Sequence, residues 1–68
     1  MYTARAIGGR EYRFRKLDAL AKRLGGNDYQ VEHETSFSPP VRQLLILRRD
    51  KFGTHVVTRV RVPAEALD

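Results

Sequence analysis

Two β-rich runs, 41–48 and 54–62, stand almost back to back, with only a short polar stretch ending in Gly53 between them. Runs rich in Val, Leu, Ile and Thr, separated by a Gly-bearing polar turn, read as the two arms of a long antiparallel hairpin around Asp50-Lys51-Phe52-Gly53. Pro63 closes the second arm, because it has no N–H to donate to a ladder. If the loop is the four residues Asp50 to Gly53, Arg49 faces Thr54 and Leu47 faces Val56. Side chains alternate between the faces of a strand. An uninterrupted ladder then collects Val41, Gln43, Leu45, Leu47, Val56, Thr58, Val60 and Val62 on one side. The other side collects Arg42, Leu44, Ile46, Arg48, His55, Val57, Arg59 and Arg61.

The rest of the chain supplies partners for this hairpin. Tyr2 to Ile7 alternates weakly and reads as a strand. Gly8-Gly9 is a two-residue hairpin signal, and Arg10 to Phe14 follows as a second strand with Tyr12 and Phe14 on one face. Leu17, Leu20, Ala21 and Leu24 recur at i, i+3, i+4 and i+7, the mark of an amphipathic helix. Gly25-Gly26-Asn27 is its stop signal. Tyr29 to Thr35 alternates as a third strand, and the Ser36 to Pro40 stretch breaks it with a diproline that favours an extended connection. Ala64 to Asp68 reads as a tail or one loose turn. The order is β-β-α-β-β-β, and the expected fold is α+β: a single domain over residues 1–68, with one helix on one face of an antiparallel sheet.

Composition narrows the function. A chain of 68 residues buries only ~60% of the surface its unfolded form exposes, so stability is marginal and an elaborate active site is hard to build. With no Cys there is no disulfide to support it. Two histidines, His33 and His55, without HxxxH spacing make an inadequate zinc set. No metal or cofactor is expected. Ser36, Ser38 and His33 are neighbours in sequence, but a nucleophile needs a base held beside it, and nothing in that Pro-rich stretch specifies such geometry. Neither glycine pair is followed by the Lys-Ser/Thr of a phosphate loop. The expectation is a protein without enzymatic activity. No apolar run approaches the ~20 residues of a membrane span, and the first residues lack the apolar core of a secretory signal. A chain this small, basic and motif-poor has the general look of proteins that phages and mobile elements carry. The expected location is the cytoplasm, that of the host if phage-encoded.

Lys and Arg total 13 against 8 Asp and Glu, a formal charge of +5. The excess sits in residues 1–27 and 41–68, while residues 28–40 hold three acids and no base. Two readings follow. In the first, a single helix covers one side of the sheet and leaves Leu44, Ile46 and Val57 exposed among Arg42, Arg48, His55, Arg59 and Arg61. An apolar centre with an arginine rim is the general anatomy of a protein interface. Phe52, beside Lys51 at the loop tip, is a candidate anchor. The partner would be a larger protein with an acidic surface, and the chain a regulator or inhibitor. A homodimer through the same face would also relieve the stability problem, but it sets arginine rim against arginine rim. Against all of this, a few apolar residues on an open face are ordinary, and a one-residue slip of register would exchange the faces. In the second reading, Arg13, Arg15, Lys16, Lys22, Arg23, Arg49 and Lys51 contact the phosphates of DNA or RNA. Such clusters are also common as plain solvated surface. The expected open face has no aromatics for base stacking.

Overall fold

The structure is a computed structural model, and it describes residues 1–34 and 41–67. The elements are β1 (Tyr2–Ala6), β2 (Glu11–Phe14), α1 (Leu17–Arg23), β3 (Asp28–Glu34), β4 (Val41–Asp50) and β5 (Gly53–Arg61), followed by a 3₁₀ turn at Ala64–Leu67. All strand pairings are antiparallel, in the sheet order β2-β1-β5-β4-β3. The β-β-α-β-β-β order read from the sequence is the order found. The expected break at Ser36 to Pro40, and the end of the third strand at Thr35, lie outside the described residues.

Local chemistry accounts for the turns. Gly9 adopts φ +87° between β1 and β2, where Ala6 N–H donates to Arg10 O and Gly9 N–H to Ala6 O. At the end of α1, Gly25 takes φ +89°. Gly25 N–H donates to Lys22 O, and Gly26 N–H reaches back to Ala21 O at 2.8 Å. This pair of bonds is a Schellman cap, which satisfies carbonyls that the helix leaves open. Lys16 at the other end offers no side-chain cap. A seven-residue helix is not stable alone, so α1 depends on its packing.

That packing is the one the periodicity implied. Leu20 and Ala21 are buried, and Leu17 and Leu24 flank them. They meet Ala4, Phe14, Leu44, Ile46, Val60 and Val62 from the sheet. The 3₁₀ turn adds Ala66 and Leu67 to the edge of the same core.

The faces of β4 differ from the expected assignment. The ladder runs Asp50↔Gly53, Arg49↔Thr54, Arg48↔His55 and Leu47↔Val56 from the turn, in the anticipated register. A bulge then intervenes, and the next pair is Ile46↔Thr58. Val57 is the extra residue, and a bulge shifts everything beyond it by one. Thr58, Val60 and Val62 therefore face the helix as expected, but opposite Ile46, Leu44 and Arg42 rather than Leu45, Gln43 and Val41. Leu44 and Ile46, expected to be exposed, are 0% accessible in the core. β3 explains the choice. It places Tyr29 opposite Ile46 and Val31 opposite Leu44, and its polar Asp28, Gln30 and Glu32 opposite Leu47, Leu45 and Gln43. Four apolar residues in a row, 44 to 47, let β4 present either pair to the helix. The neighbouring strand settles which.

Candidate functional site

β1 reaches β5 only at Arg5↔Arg61 and Ala6↔Val60. Between Gly53 and Arg59 no described strand lies on that side of β5, so β4 and β5 continue as a two-stranded arm. On the other side the arm is anchored. Asn27 donates its Nδ2 to Arg49 O at 2.9 Å and accepts Arg49 N–H on Oδ1 at 2.8 Å. Asn27 N–H donates to Leu47 O, and the Arg49 guanidinium pairs with Asp28 at 2.8 Å.

The arm carries three of the exposed large apolar side chains among the described residues. Among the described residues, and apart from Met1, the exposed large apolar side chains are Ile7, Phe52, Val56 and Val57. Phe52 is 79% accessible at the tip, Val56 48% and Val57 44%. Val56 points to the face away from the helix, opposite Leu47. Val57 approaches Gly25 beside the end of α1. The two valines thus wrap the free edge of β5. Ile7 stands at the foot of that edge, where it lines a concavity of about 340 Å³ with Arg5, Arg59 and Arg61. Cations neighbour these groups in the chain. Residues 48–59 hold Arg48, Arg49, Lys51 and Arg59 against the single carboxylate of Asp50. Lys51 Nζ lies 5.2 Å from the centre of the Phe52 ring, and the Asp50 carboxylate accepts Phe52 N–H and stands 3.7 Å from His55 Nε2. Phe52 does not fold back onto the sheet.

The sheet face away from the helix offers less than expected. Its centre is Leu45 and Leu47, at 7% and 6% accessibility although no helix or strand among the described residues lies over them. Leu45 sits between Gln30 and Arg59, and Leu47 between Asp28 and Val56. Directly opposed side chains on a sheet are close enough to cover one another. Arg59 and Arg61 lie on this face as anticipated, and Arg5 pairs there with Glu11 at 2.7 Å. Arg42 does not. It is half-buried on the helix side, beside Val31, His33, Ala64 and Leu67. Arg48 and His55 oppose each other on the helix side as well. Of the residues expected to form one docking face, then, Phe52, Val57 and Arg48 belong to the arm with His55. Arg59 and Arg61 flank it, and Leu44, Ile46 and Arg42 are removed from it. Val56 and Ile7 were not singled out from sequence. Only the bulge and the short β1 ladder expose them.

The second set of basic residues also divides. Arg13, Arg15, Lys16 and Arg23 line a cavity of about 270 Å³ at the β2–α1 junction, over Phe14, Ala19 and Leu20. Arg23 Nη1 donates to Arg13 O at 2.8 Å, and its guanidinium lies 5.7 Å from the Tyr12 ring centre. Lys22 does not line this cavity, and Arg49 and Lys51 belong to the arm. No helix among the described residues is long and apolar enough to cross a membrane.

Comparison with protein-family models, curated proteins and solved structures finds no match to this chain.

Proposed function

We propose that this chain is a non-enzymatic binding protein that docks through the β4–β5 arm onto an acidic surface of a larger protein, and regulates or inhibits it. One observation carries the reading: Phe52, Val56 and Val57 stand exposed within six residues on an arm whose β5 edge has no described neighbour. Full burial of one such side chain is worth about 1.5–3 kcal/mol, and aromatic residues and Arg are the types enriched at interface cores. The cations around them supply the charge preference. Arg48, Lys51 and Arg59 against the Asp50 carboxylate, with Arg49 already paired to Asp28, attract an acidic partner and speed its approach. They also argue against a second copy as the occupant, since arm on arm would oppose Arg48, Arg49, Lys51 and Arg59 to themselves.

The test uses the full chain immobilised in lysate of the cells that make it, with the partner identified by mass spectrometry and its binding rate then measured across salt concentrations. The Phe52→Ala/Val57→Asp variant should lose capture while its circular dichroism stays native. Arg48→Glu with Arg59→Glu should slow association and flatten its salt dependence. Capture that survives the apolar substitutions would overturn the assignment to the arm, and recovery of nucleic acid alone would overturn the class of partner.

A further inference from the structure

We propose that the cradle at the β2–α1 junction is a phosphate-binding site that holds the backbone of a single nucleic-acid strand. It uses residues at a different place in the fold from the docking arm and does not depend on that reading. The chain leaves β2 through Arg13, turns with Arg15 and Lys16, and enters α1 at Leu17. One helical stretch later Arg23 returns to the same place, held by the Arg13 carbonyl. Four cations thus line one concavity, with no carboxylate on its wall among the described residues. The nearest acid in sequence, Asp18, accepts Ala19 N–H and is absent from the lining. Two arginines elsewhere are matched locally, Arg5 with Glu11 and Arg49 with Asp28. In the cradle the like charges are left for a ligand to neutralise. Arginine forks bind phosphate oxygens in pairs, with stronger bonds than neutral donors make.

The surroundings favour a strand over an isolated phosphate. Arg10 lies 5.9 Å from the Tyr12 ring centre and Arg23 5.7 Å from it. Cations and an aromatic ring therefore form a track that runs from Arg10 through Tyr12 and Arg23 into the cradle. Such interleaving follows a strand's backbone, and the exposed guanidinium planes of Arg10 and Arg23, backed by the Tyr12 ring, are planar groups on which unstacked bases rest. The paired bases of a duplex cannot use those planes. Of its apolar floor, Ala19 is exposed and takes sugar surface, while Phe14 and Leu20 lie buried beneath and hold the cradle in shape.

Fluorescence anisotropy of a labelled twelve-residue oligothymidylate, titrated with the full chain across salt concentrations, tests this. Each strand phosphate neutralised contributes about −0.7 to the slope of log K against log salt. The wild-type slope should be near −3 for four contacts, and Arg15→Ala/Lys16→Ala should bring it to about −1.5 with at least a tenfold loss of affinity at low salt. Both side chains are exposed, so thermal melts of this variant should match the wild type. Arg49→Ala/Lys51→Ala on the arm should bind as the wild type does. No binding at low salt would overturn the site, as would equal losses from cradle and arm variants. A duplex of the same length binding as tightly would overturn the single strand. Binding of pyrophosphate at the cradle without binding of the oligonucleotide would do the same.

Discussion

Substitution of Gly26 by Ala tests the joint that sets α1 over the arm. A methyl group at Gly26 would stand 2.5 Å from Ile46 Cγ2 and 2.6 Å from Leu47 O. Ordinary contact begins near ~3.5 Å, so roughly 1 Å of movement is required. Neither neighbour yields easily: Ile46 is fully buried, and Leu47 O is backbone that accepts Asn27 N–H at 2.9 Å. Overpacking of this kind costs about 1–3 kcal/mol. Displacement of Leu47 O also loosens the Asn27 bonds to β4, each worth about 1 kcal/mol. The reduced freedom of the unfolded chain returns about 0.4–1 kcal/mol. The net expectation is a loss of about 2–3 kcal/mol, and a domain of this size holds only ~3–10 kcal/mol in total. Urea unfolding followed by circular dichroism measures it, with a matching fall of roughly 10–20 °C in Tm. Gly8→Ala is the control, because nothing lies within 4 Å of its methyl position, and it should stay within about 0.5 kcal/mol of wild type. A Gly26→Ala protein as stable as the control would refute the close approach of α1's cap to β4.

Two further predictions concern the bulge. Ile46→Asp places a carboxylate at a 0% accessible position with no cation beside it in the core cluster; it should cost at least about 3 kcal/mol and abolish the cooperative melt, whereas Val57→Asp should shift stability by less than about 1 kcal/mol. A native melt for Ile46→Asp would show that β4 presents its other face to the helix. Deletion of Val57 should leave Leu47 opposite Val56 and Ile46 opposite Thr58 in unbroken alternation, so the protein should fold with the same core; amide exchange that shows Leu44 and Val60 unprotected would refute the bulge.

The elements and their order were legible in the residues because each rests on local chemistry. Gly8-Gly9 and Asp50 to Gly53 mark turns, Leu17 to Leu24 repeats with helical period, Gly25-Gly26 caps the helix, and Pro63 ends the last strand. The turn even set the first pairs of the β4–β5 ladder, Arg49 with Thr54 and Leu47 with Val56. Local chemistry could not decide which face of β4 is buried, because Leu44, Leu45, Ile46 and Leu47 are apolar on both sides of the strand. That decision belongs to contacts distant in sequence: Tyr29 and Val31 across from Ile46 and Leu44, Gly26 against Ile46, and β1 alongside Val60 and Arg61. A turn fixing one register and a core requiring another are reconciled by one extra residue, Val57. The same long-range pairing left the cations of β2 and α1 around one cavity, and separated them from Arg49 and Lys51. Composition by itself determined a small, basic, strand-rich chain with one amphipathic helix; where its exposed apolar and cationic groups meet was decided by tertiary structure, since a face, an edge and a cavity are each made by residues that sequence does not place together.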